Sequence, residues 1–172
     1  SSKELEYVDL FEAYPVDGII LVGTVLTRAH KKKLKECKVP IVVIGQYTKE
    51  TSCVYHDDYG AAKALAEQVG REASGRVAYI GVTREDKAAG AAREDGFREG
   101  LKEVGKELEE SCLRRAKFTM ESGYEQAVDL LEKEHDIDII SCATDTIAAG
   151  AIEAIAQYSP ERKIQVTGFG DN

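Results

Sequence analysis

RVAYIGVTREDKAAGAAREDGF, residues 76–97, sets a short apolar run against the start of a helix, with polar residues gathered at the junction. Val77–Ile80 has no charged interruption, as a strand buried on both faces requires, and Phe97, Leu101 and Val104 then recur at helical spacing. The same succession repeats outward from this stretch. Ile19–Val22, Ile41–Ile44 and Ile137–Ser141 are apolar runs followed by helical stretches, and Ile164–Thr167 reads as a fifth strand. Such alternation predicts an α/β fold on parallel sheets, and these sheets bind ligands at the carboxyl ends of their strands. Function is therefore sought at the strand-to-helix junctions.

Two lobes are expected. The chain enters a helix patterned by Leu5, Val8, Leu10 and Phe11, and only two strong strands precede Thr48. A polar connector, Gln46–His56, ends in a strand-like crossing at Val54-Tyr55-His56. Asp57 or Asp58 is then placed to cap a helix with the stripe Ala61, Ala62, Leu65, Ala66 and Val69. The reading is of a partial first lobe over residues 1–54 and a fuller second lobe over 55–172, with a cleft between them, in a chain that is a piece of a longer protein. There is no internal repeat of fixed period.

Composition restricts the class of partner. A formal charge of −8 opposes attraction to phosphate backbones, so this stretch is by itself a poor nucleic-acid binder. No apolar stretch approaches the ~20 residues of a membrane span, and no basic start with an apolar core marks export. A cytoplasmic chain is expected. Cys37, Cys53, Cys112 and Cys142 form no Cys-x-x-Cys pair and read as free thiols of the core. No phosphate loop, dinucleotide fingerprint or nucleophile elbow is present; Gly168-x-Gly170 is only a fragment of a dinucleotide pattern. Neither cofactor nor metal is expected, and His56-Asp57-Asp58 is explained more simply by a helix cap. His30 and His135, set among charged residues, read as solvated, and Lys31–Lys33 as an exposed helix face.

Three junctions of the second lobe carry the informative side chains. Arg93 lies one turn before Phe97 and so points toward the packed side near a helix start, where a cation opposes the macrodipole by ~0.3–1 kcal/mol. An ion pair with Glu94, Asp95 or a distant carboxylate would compensate it; so would a ligand. Phe118 precedes a capping-box pattern, Ser122-x-x-Glu125, where its ring either closes the core or covers a sugar face. Asp145 follows the strand IDIISCATD, where an Asp is most often a cap but also stands at the binding edge, able to accept from two adjacent hydroxyls. A guanidinium, a carboxylate and a ring suit a neutral polyol and do not by themselves make a catalyst.

The ordered segments VDGIILVGT, KVPIVVIGQ, VYHDDYGAAKAL, RVAYIGVTREDKAAGAAREDGF, FTMESGYEQA, CATDTIAAGAIEAI and IQVTGFGDN resemble the LacI/GalR family of bacterial transcription repressors. The resemblance is to the effector-binding domain, whose fold is shared with type I periplasmic sugar-binding proteins. YHDDYGAAK, GVTREDKA and CATDTIA are most similar to the repressors of sucrose and trehalose operons.

By resemblance, Arg93 and Asp145 hold effector polar groups and Phe118 contacts the sugar. Gln46 and Gly23 follow first-lobe strands facing the same cleft. Asp171 is a further polar candidate, although Gly170 stands where many relatives carry an acidic residue. The resemblance implies a homodimer, a sugar or sugar phosphate effector, operator DNA bound through a headpiece not in this chain, no membrane and no enzymatic activity. A transport-type sugar receptor of the same fold, or a small Rossmann-like enzyme acting on a nucleotide sugar, are the other classes the residues admit.

Overall fold

A computed structural model of the chain describes residues 2–170. It divides into two compact units, one reaching to Asp57 and including Asp86–Ala88, the other made of Asp58–Glu85 and the chain from Ala89. The break falls three residues beyond the expected 54/55 boundary, and the short 86–88 segment clusters with the first unit. Asp171 lies outside the described residues.

The first unit contains α1 (Ser2–Ala13), β1 (Ile19–Val22), α2 (Arg28–Glu36), β2 (Ile41–Ile44) and β3 (Ser52–Val54). The strands pair in the order β1-β2-β3, all parallel. Alternation sends Ile19, Ile41 and Val43 inward against Val8 of α1 and Leu34 of α2. On the other face Ile20 is 71% exposed, Val22 69% and Val54 65%. Lys33 ties α2 to α1 through Asp9 and Glu12.

His30 departs from the solvated reading, being 3% exposed. Its Nε2 bonds Glu4 at 2.9 Å, while its Nδ1 pairs with the hydroxyl of Thr27, the residue that caps α2. Lys31 and Lys32 are exposed as expected.

The second unit contains α3 (Asp58–Glu72), β4 (Arg76–Gly81), α4 (Arg93–Glu103), β5 (Leu113–Arg115), α5 (Met120–Lys133), β6 (Ile137–Cys142), α6 (Asp145–Tyr158) and β7 (Gln165–Thr167). Its parallel sheet runs β5-β4-β6-β7. The chain leaves β4 toward β5 and returns past it to β6, so right-handed crossovers put α4 and α5 on opposite faces. The observed pairing agrees, α3 with α4 and α5 with α6.

Phe97, Ile80, Leu101, Leu130, Ile140 and Ile147 are fully buried, each stabilising the fold by roughly 1.5–3 kcal/mol through removal of apolar area from water. Both helix pairs approach at backbone distance. A Cβ on Gly96 would stand 2.2 Å from the carbonyl oxygen of Tyr59, and one on Gly150 would stand 2.1 Å from that of Met120. These contacts fix where each helix starts relative to its neighbour.

Two helix starts differ from the sequence reading. Thr119, not Ser122, caps α5, and it accepts from the Ser122 amide. Thr144, not Asp145, caps α6, accepting from the Ile147 amide. In both cases a threonine with extended backbone precedes the residue expected to cap, as the N-cap geometry requires. All four cysteines are free, with Cys112 and Cys142 buried and Cys37 and Cys53 half-buried. Burial pushes the Cys142 thiol up to about 12.

Candidate functional site

Arg93 opens α4 and continues directly from a π-helical turn, Lys87–Ala92, of the kind often found at functional sites. Its Nε donates to Asp58 Oδ1 at 2.7 Å, and its Nη1 donates to the Ala143 carbonyl at 2.6 Å. The guanidinium carbon stands 4.3 Å from the ring centroid of Phe169. Three compensations thus offset the unfavourable place of a cation in the first turn: a carboxylate, a carbonyl and the negative face of an aromatic ring. Nη2 makes no hydrogen bond among the described residues, and the side chain is 16% exposed. It is an anchored guanidinium with one amine in reserve.

The anchor lies at the strand-order reversal. Arg93 follows β4 and its carbonyl partner, Ala143, follows β6, so the side chain crosses the junction where connections leave the sheet in opposite directions. Ala143 is itself tied to β4, its amide donating to the Ile80 carbonyl at 2.9 Å. Asp58, 6% exposed, comes from the first residue of α3, thirty-five positions earlier. Sequence reading treats Asp58 only as a possible cap, because nothing local connects it with Arg93.

Asp145, the first residue of α6, is half-buried beside the chain leaving β7: its Oδ1 lies 2.3 Å from where a Cβ on Gly168 would stand. With the cap role taken by Thr144, this carboxylate sits at the sheet edge next to the segment that supplies Phe169. Phe118 does not close the core. It follows β5 and is 44% exposed. The ring that meets Arg93 is Phe169, which the sequence presents only inside Gly168-Phe169-Gly170; a ring following a terminal strand is the signal that could have found it.

In the first unit Gly23 and Gln46 follow β1 and β2. Gln46 is 4% exposed and its amide donates to Asp86 Oδ1 at 2.8 Å. Gly23 is buried, and a Cβ there would come within 3.4 Å of the Gln46 side chain. Asp86, 2% exposed, also accepts from the Ala88 amide and is the polar partner that sequence reading does not single out. The expected residues therefore form two groups, Gly23 and Gln46 in the first unit and Arg93 with Asp145 in the second. Among the described residues no three His, Cys, Asp or Glu side chains are placed to hold a metal ion, and no helix is long and apolar enough to cross a membrane.

The arrangement presents hydrogen-bonding groups at the ends of parallel strands, and known proteins with this organisation are similar along nearly the whole chain. The sucrose operon repressor of Staphylococcus xylosus is 28% identical over 97% of this chain and 52% of its own length. Catabolite control protein A of Priestia megaterium is 28% identical over the same shares, 97% and 52%. The chain thus spans about half the length of these curated relatives. Among solved structures, a transcriptional regulator CelR–cellobiose complex superposes with a TM-score of 0.85 at 24% identity, covering 98% of this chain and 53% of that one. The periplasmic binding protein-like type I fold expected from the sequence is the fold observed. With residues 1–167 matching the model of "Periplasmic binding proteins and sugar binding domain of LacI family", the chain belongs to that family.

Proposed function

We propose that this chain is the effector-binding part of a LacI-type transcriptional repressor of a sugar-utilisation operon, with a disaccharide of the sucrose or trehalose class as effector. The observation that carries the reading is the Arg93 anchor, whose Nη2 is left over after Asp58, Ala143 and Phe169 have fixed the rest of the side chain. A hydroxyl oxygen accepts from that amine, the Asp145 carboxylate accepts from neighbouring hydroxyls, and Phe118 covers the C–H face of a ring. In the first unit, Gln46 with Gly23 is assigned the same kind of end-of-strand role. Asp171 remains a candidate by its place in the sequence.

The two units are the lobes of the effector domain, in a cytoplasmic homodimer that reaches its operator through a headpiece outside this chain. That division of labour is consistent with a charge of −8, unsuited to contact with DNA. Effector binding regulates by favouring one arrangement of the dimer over another, which requires a difference in affinity between the two.

Calorimetric titration of the full-length protein with sucrose, fructose and trehalose tests this reading, with Arg93→Ala as control. Binding of one sugar, weakened at least about tenfold by loss of a charge-assisted hydrogen bond in the variant, is expected. No binding by any sugar or sugar phosphate, or unchanged binding in the variant, would remove the reading. The same family description covers periplasmic binding proteins, so a transport-type receptor is the second reading. Flanking sequence separates them, a helix-turn-helix marking the repressor and a signal peptide the receptor. Turnover of a nucleotide sugar would replace both with an enzyme.

A further inference from the structure

The charge of the chain is not spread evenly. Residues 1–57 carry eight basic and eight acidic side chains, so the formal charge of −8 belongs to the rest of the chain. Within the first unit the cations gather on α2 and the turn after it, where Arg28, Lys31, Lys32, Lys35 and Lys38 are all exposed. The four on the helix itself fall within an arc of about 100° around its axis. His30 and Leu34 are buried on the opposite side. Lys33, outside this arc, is the lysine that meets α1 through Asp9 and Glu12. The five outward cations have no ion pair among the described residues.

This pattern works against the helix that carries it. Arg28 and Lys31, Arg28 and Lys32, Lys31 and Lys35, and Lys32 and Lys35 are like charges three or four positions apart, each pair destabilising an isolated helix. Glu36 is the one acid between positions 28 and 38, and it follows Lys32 in the less favourable order for an i,i+4 pair. Arg28 stands in the first turn, where no acid accompanies it and a cation opposes the macrodipole; Lys35, in the last turn, is better placed. A stripe that weakens its own helix and makes no contact within the chain is explained by what it meets outside.

The chemistry of the partner follows from the layout. The cations run along about 15 Å of surface rather than converging on a cavity, which no single small anion spans. A membrane surface calls for apolar side chains beside the cations, and the arc has none. Duplex DNA is met by polar side chains as well as cations, and by helices free to enter a groove; α2 offers no such side chain on the arc and is held to the core on its inner side. Cations on successive turns recur about every 5.4 Å, the repeat at which carboxylates recur along one face of another helix. We infer that the outer face of α2 docks an acidic helix of a partner protein. The contact is made of exposed ion pairs rather than buried apolar area, and the partner's carboxylates replace repulsion along the stripe with attraction.

The test measures fluorescence anisotropy of a labelled, alanine-based helical peptide with glutamate on successive turns of one face, titrated with the full-length protein. Binding is expected at low salt and weakens as salt rises. Lys31→Glu/Lys35→Glu should weaken it at least about tenfold, and the same glutamates distributed around the peptide helix should bind at least about threefold less tightly. Urea denaturation of Lys31→Gln/Lys35→Gln should show a midpoint unchanged or raised, because two repelling charges are gone. No binding of the striped peptide, binding that survives the charge reversal, or equal binding of the two peptides overturns the proposal. So does a lowered midpoint, since the cations would then serve the fold. A salt slope for non-operator duplex DNA that falls by about 1 per lysine in the Gln variant would give the face to DNA instead. Binding to phosphatidylserine vesicles that the Gln variant loses would give it to a membrane, and either result removes the acidic helix as occupant.

Discussion

The two sheets are built from the same kind of strand but finished differently. In the second unit four parallel strands lie between two helix pairs, and Ile80 and Ile140 lose all contact with water. In the first, three parallel strands pack α1 and α2 against one face and leave Ile20, Val22 and Val54 more than half exposed on the other. An apolar run in sequence therefore reports the strand, while neighbouring elements decide what each side chain contributes. The second unit can hold a charged side chain in a defined pose because its helix starts are fixed by backbone contact.

The largest expected break in that contrast is Gly96→Val. Its side chain would be driven into the Tyr59 carbonyl and would prise α4 from α3. Destabilisation of at least about 3 kcal/mol, read by urea denaturation, is expected, overpacking against backbone having no flexible neighbour to yield. A smaller contrast uses one residue type in both sheets. Ile140→Ala should cost about 2–5 kcal/mol as a fully buried truncation, whereas Ile20→Ala, at 71% exposure, should stay within about 0.5 kcal/mol. Equal losses at the two sites would show that the exposed face of the first sheet is covered in solution. The mildest test concerns α5: Thr119→Ala should cost about 1 kcal/mol by removing the cap, a position that pattern reading assigns to Ser122.

Most of the architecture is legible in the sequence because β1 and β2 are uninterrupted apolar runs, β4 is one after its first residue, Arg76, and β6 is broken only by Asp138 and Ser141, close to the pattern a buried parallel sheet demands. β5 is not legible. It is three residues long, and two of them are arginines whose charges are matched by Asp129 and Glu94, partners set by the fold. The π-helical turn before Arg93 has no periodicity to betray it. Within the site, Arg93 and Asp145 stand out at their junctions, but the carboxylate and ring that hold Arg93 are distant in the chain. Asp58 reads as a cap and Phe169 as part of a glycine pattern. His30 is missed for a related reason. Its lysine neighbours suggest solvent, while its spacing from Leu34 and Thr27 places it on the buried stripe and in the cap of α2.

The pinning of Arg93 bears on how a ligand would be received. Arginine carries roughly 2 kcal/mol of rotamer entropy when free. Here Asp58, the Ala143 carbonyl and the Phe169 ring restrict that freedom when the chain folds. An incoming hydroxyl would thus meet a donor whose orientation is already chosen, and forming that hydrogen bond would require little further ordering of the protein. A shorter or untethered cation at position 93 would carry the same charge but would have to be immobilised at each encounter.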